Sequence, residues 1–231
     1  MLRPYVIVYV TSSVDGKIAS RTGESRLSCP YDLKRLHRLR SECDAVMVGA
    51  KTVIVDVPLL TVRYVKGKNP IRVVIDGMLR SPLNSRVFND KSAKTVVYTS
   101  TLAPRGKVLE LKRLGVEVFV MTAKGGDGTL RLSDVLRHMY EVLGVRKLLI
   151  EGGGTLLWHV FREGLVDEVR ITISPYIVGG EKAVTVVSGR GFGAKSEWVR
   201  LKLKSVRLCE CGNEVHLIYE VVRGTTREAP Y

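Results

Sequence analysis

Apolar runs alternate with amphipathic stretches along most of this chain, and this alternation limits its possible folds more than any other feature. The apolar runs are rich in Val, Ile or Leu and are bounded by Gly, Pro or charged residues, which predicts strands. They are Tyr5–Val10, Ala45–Val48, Ile71–Ile75, Thr95–Thr99, Val116–Met121, Lys147–Ile150, Glu168–Ile173, Leu201–Leu208 and Val215–Val222. Because helical patterns separate most of them, we expect an α/β fold with a mostly parallel central sheet flanked by helices.

Two helical patterns are clear. The stretch Leu132–Leu143 places apolar side chains at intervals of three and four residues and ends before Gly144, a typical stop signal. Another helix is predicted from the cap and first-turn signals Ser28 and Pro30 to about residue 43. No helical pattern separates the last two strands, so the chain is expected to end in an antiparallel hairpin at the sheet edge.

The chain is strongly basic, with 37 Lys and Arg against 23 Asp and Glu and a formal net charge of +14. Such an excess attracts phosphates, whether in nucleic acid, a nucleotide cofactor or a phosphorylated metabolite. Nucleic-acid binding is disfavoured, because the basic residues are spread over most segments and aromatic residues make up 6% of the chain. The absence of Gln and the low Asn content are typical of thermophile proteins.

The organisation of the chain indicates one domain. A hydrophobic content of 45% is sufficient for a buried core, and no linker or repeat divides residues 1–231. We expect a core of about residues 3–222 and a polar tail at 223–231. No apolar run approaches the ~18 residues of a membrane helix, and the alternating N-terminus resembles a strand more than a signal peptide. A cytoplasmic protein is therefore expected.

Three successive glycines form the strongest local motif. The strand Lys147–Ile150 leads into Glu151 and then into Gly152, Gly153 and Gly154, and an apolar helical stretch begins at Thr155. A glycine turn before a helix offers unpaired N–H groups and no side chains, which suits a diphosphate. A tight strand-to-helix turn is the structural alternative. Glu151 ends its strand where open α/β sheets bind ligands, although a surface carboxylate would look the same.

Other candidate residues carry weaker signals. Arg40 falls on the apolar stripe of the first predicted helix, so it must either extend its charge to water or meet an anion. The connection 49–63 has no long helical stripe and contains Thr52, Asp56 and Arg63, a mixture that suits sugar and phosphate recognition or a solvated loop.

The sequence predicts no metal site. Its cysteines are Cys29, Cys43 and the pair Cys209 and Cys211, and a Cys-x-Cys pair without a second pair favours buried or incidental thiols. The four His residues have no metal-ligand spacing, and neither a G-x-S-x-G elbow nor the H-x-E and P-C-x-x-C motifs of zinc deaminases occur.

Six ordered motifs resemble the riboflavin-pathway reductase family, both its stand-alone archaeal members and the C-terminal domain of bacterial deaminase-reductases. They are RPYV with SVDGKIA (residues 3–6 and 13–19), TGESRLS (22–28), DAVMVGAKTVIVDVPLLTVR (44–63), NPIRVVID (69–76), LLIEGGGTLLW (148–158) and GLVDEVRITISPYIVGG (164–180). The first strand carries Tyr9 where bacterial members have Lys, which favours the archaeal type and hence the diamino substrate.

The resemblance implies a dihydrofolate-reductase-like fold, a homodimer, and NADPH-dependent reduction of a ribosylamino to a ribitylamino group on a phosphorylated pyrimidine. NADH is a possible substitute. The implied cofactor residues are Thr11, Leu27, Thr52, Asp56, Asp76, Gly77, Gly152, Gly153, Gly154 and Thr155. The implied substrate residues are Ser25, Arg40, Leu60, Arg63 and Glu151.

In this interpretation Glu151 assists proton movement, Asp56 orients ribose or nicotinamide, and Arg40 meets the substrate 5′-phosphate. Arg80 is a candidate for the cofactor 2′-phosphate. Two other functions stay open from the sequence: a dihydrofolate or pterin reductase on the same fold, and a basic nucleic-acid-binding protein.

Overall fold

The computed structural model describes residues 2–223, which contain strands β1 to β11 and helices α1 to α6. The strands are β1 Tyr5–Ser13, β2 Lys17–Ala19, β3 Ala45–Gly49, β4 Ile71–Ile75, β5 Thr95–Ser100, β6 Glu117–Met121, β7 Lys147–Ile150, β8 Glu168–Ser174, β9 Val184–Thr185, β10 Leu201–Leu208 and β11 Val215–Val221. The helices are α1 Pro30–Glu42, α2 Ala50–Asp56, α3 Arg86–Asn89, α4 Arg105–Arg113, α5 Leu132–Glu141 and α6 Gly154–Arg162. The predicted tail residues 224–231 lie outside the described residues.

Nine strands form one sheet in the order β10-β11-β8-β1-β7-β3-β4-β5-β6. Every pair from β8 to β6 in this order is parallel, whereas β11 is antiparallel to β8 and β10 is antiparallel to β11. The predicted mostly parallel α/β sheet with a C-terminal antiparallel hairpin is therefore confirmed. Short strands β2 and β9 pair separately.

The sheet is covered on both faces, as its apolar strands require. Val8 of β1 faces a core layer that contains Leu136 of α5 and Leu157 of α6. Its neighbour Ile7 faces the opposite layer, which contains Leu39 of α1. Because successive side chains of a strand point to opposite faces, a strand buried on both faces must be apolar at nearly every position. No helix of the described residues is long and apolar enough to cross a membrane.

Two local predictions are wrong. Helix α1 is capped by Cys29 and not by Ser28: the Cys29 Sγ accepts a hydrogen bond from the Asp32 N–H, while the Ser28 hydroxyl donates to Thr11. The connection after β3 contains the seven-residue helix α2, which is too short to leave a recognisable apolar stripe and ends at Val57 in the left-handed region, with φ of 44°.

Candidate active site

A cleft of about 950 Å³ opens at the carboxyl ends of four parallel strands, β1, β7, β3 and β4. Side chains that follow these strands meet here because parallel strands present their carboxyl ends at one edge of the sheet. The volume is at the upper end of the usual range for ligand pockets and can hold a dinucleotide beside a small substrate.

Twelve of the predicted site residues line this cleft: Thr11, Ser25, Arg40, Thr52, Asp56, Leu60, Asp76, Gly77, Glu151, Gly153, Gly154 and Thr155. Leu27, Gly152 and Arg63 do not line it. Leu27 is buried and Arg63 is exposed outside the lining. Of the unpaired cations of the cleft that are described below, Arg80 was predicted from the sequence, whereas Arg21, Lys51 and Lys182 were not, because isolated basic residues carry no pattern.

The glycine turn before α6 forms the anion-binding end of the cleft. Gly152 has φ of 108°, a conformation that favours glycine, and the Gly152–Gly153 peptide is cis. Helix α6 begins at Gly154, and within residues 2–223 no acceptor pairs with the N–H groups of Gly154, Thr155 and Leu156. These free donors at the positive end of a helix dipole fit a phosphate.

Close packing explains why position 154 is glycine. A Cβ atom on Gly154 would lie 2.6 Å from the Thr185 carbonyl oxygen and 2.5 Å from the Ser188 hydroxyl. The Ser188 N–H also donates to the Gly154 carbonyl at 3.1 Å. The segment 184–188 therefore packs directly on the start of α6. Thr52 lies on the other side, since a Cβ on Gly153 would be 3.3 Å from its Oγ1.

Arg40 and Glu151 form a buried ion pair in the cleft. The Arg40 Nε donates to Glu151 Oε1 at 2.6 Å and its Nη2 donates to Oε2 at 2.7 Å, with side-chain exposures of 7% and 11%. Burial disfavours the guanidinium charge, but the attraction and hydrogen bonds of Glu151 outweigh it and raise the pKa of Arg40. The remaining Arg40 nitrogen donates to the Thr61 carbonyl at 2.9 Å.

The anion that Arg40 meets is therefore Glu151, and every guanidinium nitrogen already has a partner within the chain. These contacts use three of the five guanidinium N–H donors, so a direct phosphate contact by Arg40 would share the guanidinium with Glu151. Arg63 lies outside the residues that line the cleft, and no carboxylate among the described residues pairs with its guanidinium. Partial desolvation and the charge of Arg40 lower the pKa of Arg63.

The imidazole of His37 contacts both arginines. Its Nδ1 accepts the Arg63 N–H at 2.8 Å, and its Nε2 lies 3.3 Å from Arg40 Nη1. Burial, together with the charges of Arg40 and Arg63, lowers the pKa of His37 to about 4. A neutral imidazole is required because Nδ1 must be an acceptor.

This environment predicts a pH-dependent stability. Between pH ~6.5 and ~4 the unfolded chain binds a proton at residue 37 that the folded protein does not, so the free energy of unfolding should fall by up to about 3 kcal/mol as the pH is lowered. Chemical denaturation at a series of pH values measures this slope. In His37→Asn, whose amide oxygen can accept the Arg63 N–H, the slope over that interval should be shallower. Equal slopes in the two proteins would contradict this explanation.

Asp76 acts mainly on its own loop. Its carboxylate, 3% exposed, accepts the N–H groups of Arg80 at 2.9 Å and Ser81 at 2.8 Å. Gly77 allows a second loop to approach, because a Cβ there would lie 1.9 Å from the Gly128 carbonyl oxygen. The carboxylate of Asp76 therefore fixes the backbone of this part of the cleft wall. It contacts the backbone of Arg80 and not its guanidinium, which stays free to reach a ligand.

Two hydroxyl groups that line the cleft donate hydrogen bonds to carboxylates. The Ser25 hydroxyl donates to Asp56 Oδ1 at 3.0 Å. Partial burial and the negative charge of Glu24 raise the pKa of Asp56. The hydrogen bond from Ser25 opposes this shift. Thr11 donates to Asp32 at 2.7 Å, so its hydroxyl is already engaged.

Four basic side chains of the cleft have no ion-pair partner among residues 2–223, and neither do the carboxylates of Asp56, Asp76 and Asp127. The four basic residues are Arg21, Lys51, Arg80 and Lys182. Together with the free N–H groups of α6 they make a site that fits a pyrophosphate-containing cofactor such as a nicotinamide dinucleotide. Leu60 completes the site from a left-handed conformation, with φ of 55° and 1% exposure.

A protein family and a named relative both match most of this chain. Residues 4–217 match the family described as RibD C-terminal domain. The chain is 45% identical over 207 residues to a Methanothermobacter thermautotrophicus protein named 2,5-diamino-6-ribosylamino-4(3H)-pyrimidinone 5′-phosphate reductase. That match covers 88% of this chain and 92% of the relative.

Solved structures agree on the fold. The chain is similar to Acinetobacter baumannii RibD, with a TM-score of 0.79 and 26% identity over 95% of this chain, and it spans 58% of that longer protein. It also resembles Enterococcus faecalis dihydrofolate reductase complexed with NADP(H), with a TM-score of 0.54 and 11% identity, over 94% of this chain and 96% of that one. The dihydrofolate-reductase-like fold expected from the sequence is confirmed.

Proposed function

The chain belongs to the RibD C-terminal domain family, and we infer from this that it is the reductase that converts 2,5-diamino-6-(ribosylamino)-4(3H)-pyrimidinone 5′-phosphate to its ribitylamino form in riboflavin biosynthesis. The observation that carries this function is the 45% identity over nearly the full length of a relative with that name. The cleft supports it, since it combines an anion-binding helix end with unpaired cations and the buried Arg40–Glu151 ion pair.

The proposed cofactor is NADPH. The free N–H groups of Gly154 and Thr155, with the Thr52 hydroxyl nearby, would hold its pyrophosphate, and Asp56 would orient its ribose or nicotinamide. When bound, the nicotinamide supplies a hydride to C1′ of the substrate.

The chain's own contribution is to position the substrate and to assist the movement of one proton. The substrate furanose opens to an imine as the glycosylamine N–H proton moves to the ring oxygen, and addition of hydride at C1′ with a solvent proton at the imine nitrogen gives the open ribityl chain. We place the ring oxygen beside Glu151, whose two oxygens are held by Arg40 so that the carboxylate cannot turn away. Glu151 would hold the hydroxyl proton in place at that oxygen, while Arg63 meets the 5′-phosphate.

A substrate panel tests the proposal. Purified protein should oxidise NADPH with the diamino ribosylaminopyrimidine phosphate, more slowly or not at all with the deaminated analogue, and not with dihydrofolate. Turnover of dihydrofolate in place of the pyrimidine would instead assign a folate reductase. Tight binding of duplex or single-stranded DNA at ~0.15 M salt without reductase activity would favour a nucleic-acid-binding protein.

Cofactor preference is predicted to depend on Arg80. Its backbone N–H is fixed by Asp76, and its exposed guanidinium has no carboxylate partner among the described residues. Loss of one charge-assisted hydrogen bond to the 2′-phosphate is worth about 1.5 kcal/mol, so Arg80→Ala should raise the KM for NADPH about 10-fold. The KM for NADH, which lacks this phosphate, is the control. An equal rise for both cofactors would exclude this role.

We further propose a homodimer that uses the edge hairpin. The register shift between Leu203 and Ser205 keeps four large apolar residues of β10 on one face, opposite Val221, Tyr219, Leu217 and Val215 of β11. These β10 residues are Leu201, Leu203, Val206 and Leu208, and they are 42%, 49%, 57% and 69% exposed. A contiguous apolar face of this kind is typical of protein interfaces.

The double substitution Leu203→Glu and Val206→Glu should convert the dimer to a monomer, because burying two carboxylates in the interface costs several kcal/mol. Light scattering after gel filtration measures the mass. A matched control is Lys202→Glu and Arg207→Glu, which changes the opposite face of the same strand and should leave the dimer intact. A wild-type mass equal to one chain would contradict the proposal.

A further inference from the structure

Three of the four cysteines converge at one point outside the cleft. Cys209 and Cys211 lie in the turn between β10 and β11, and Cys29 caps the N-terminus of α1. Each offers a sulfur atom, Glu214 offers a carboxylate oxygen, and all four atoms lie within 4.8 Å of one another. None of these residues lines the 950 Å³ cleft.

The sulfur spacing matches that of metal-bound thiolates. Cys29 Sγ and Cys209 Sγ are 3.6 Å apart. Two thiolates at about 2.3 Å from a tetrahedral zinc ion are about 3.8 Å apart, so an ion can enter with small side-chain adjustments. The backbone is already shaped for this: the Gly212 N–H donates to the Cys209 carbonyl at 2.8 Å, and Gly212 has φ of 78°.

The carboxylate of Glu214 is buried beside the cysteines with one oxygen unpaired, and this feature also points to a cation. Its side chain is 1% exposed, and Oε1 accepts the Cys29 N–H at 2.8 Å. Its other oxygen, Oε2, is buried without a hydrogen-bond partner in the described residues. A buried carboxylate oxygen with no partner costs several kcal/mol unless a positive charge faces it.

The surroundings favour an anionic ligand set. The Asp32 N–H donates to Cys29 Sγ at 3.4 Å from the first turn of α1, the positive end of a 13-residue helix. Arg35 Nη2 lies 3.6 Å from Cys209 Sγ and 3.2 Å from Glu210 Oε2. Donors of this kind orient thiolate ligands and offset their charge.

We propose that Cys29, Cys209, Cys211 and Glu214 bind a structural zinc ion. Thiolates favour zinc over calcium or magnesium, and four protein ligands leave no open position for catalysis. The ion would connect the start of α1 to the C-terminal hairpin. It would thereby fix Ser28 and Asp32, which hold the cleft residue Thr11. The proposal does not depend on the reductase function.

Metal content tests it directly. Protein expressed with added zinc and purified without chelators should contain about one zinc per chain by elemental mass spectrometry. Cys29→Ser keeps a side-chain acceptor for the helix cap, and Cys211→Ser changes a half-buried position, so both should fold. Each should reduce zinc to less than about a tenth of an ion per chain, whereas Cys43→Ala, in the core away from the cluster, should retain it.

Cobalt provides a second readout that does not require activity. Wild-type protein loaded with Co²⁺ should show thiolate-to-metal charge-transfer absorption, and Glu214→Gln should change its ligand-field bands. Removal of zinc by a chelator should lower Tm by about 5 °C or more. Wild-type protein without zinc after supplementation, full zinc in Cys211→Ser, or a Cys29–Cys209 disulfide in freshly alkylated protein would overturn the proposal.

Discussion

Glu151→Gln is expected to lower kcat by about 10²- to 10⁴-fold, the usual contribution of a positioned proton-transfer group. The amide keeps the size of the side chain but cannot hold or release a proton at the substrate oxygen. The change also removes the charge partner of Arg40, whose side chain is 7% exposed. We therefore expect a loss of stability of about 3 kcal/mol, since an unpaired buried charge is costly.

A double variant separates chemistry from folding. Replacing both Arg40 and Glu151 with Met leaves no buried charge, and such replacements of buried ion pairs are often neutral for stability. The double variant should regain most of the lost stability and bind NADPH within about threefold of wild type, yet stay inactive. Turnover near the wild-type value in either variant would remove Glu151 from the mechanism.

Gly154→Ala is expected to be the most damaging change at the cofactor end of the cleft. The new Cβ would lie 2.6 Å from the Thr185 carbonyl oxygen, a backbone atom that cannot rotate away. The segment 184–188 or the start of α6 must then move. We expect destabilisation of about 1–3 kcal/mol and a rise in the Kd for NADPH of at least about tenfold, measured by cofactor fluorescence.

Gly106→Ala is the matched control. Gly106 lies inside helix α4, and a Cβ there meets nothing within 4 Å. Alanine in an open helix position should be neutral or stabilising by up to about 1 kcal/mol, with unchanged NADPH affinity. If Gly154→Ala binds NADPH as well as Gly106→Ala does, the start of α6 is not the pyrophosphate site.

Most of the fold could be predicted from the sequence, because buried strands and long helices leave recognisable patterns of apolar residues. Strands buried on both faces must be apolar at nearly every position, and β4 and β7 have the boundaries that their apolar runs predict. Helix α2 was missed because seven residues are too few for an amphipathic stripe. The cap of α1 was misassigned because Cys29 performs a role that Ser usually performs.

Long-range pairings could not be read from the sequence. Its pattern indicates that Arg40 either extends its charge to water or meets an anion, and the anion lies 111 residues away and is a carboxylate of the same chain. In the same way, Cys29 lies 180 residues before Cys209, so that the sequence alone shows no partner for the Cys-x-Cys pair. Such pairs form because the strand order of the sheet places distant parts of the chain side by side.

Hydride transfer from deuterated NADPH tests the central claim most directly. The protein is mixed with the diamino ribosylaminopyrimidine phosphate and NADPH labelled at either face of C4, and the product is analysed by mass spectrometry. We predict that one labelled face gives a ribitylamino product one mass unit heavier, with the deuterium at C1′, and that Glu151→Gln gives almost none. Absence of the reduced product, or deuterium transfer to dihydrofolate alone, would contradict the proposed function.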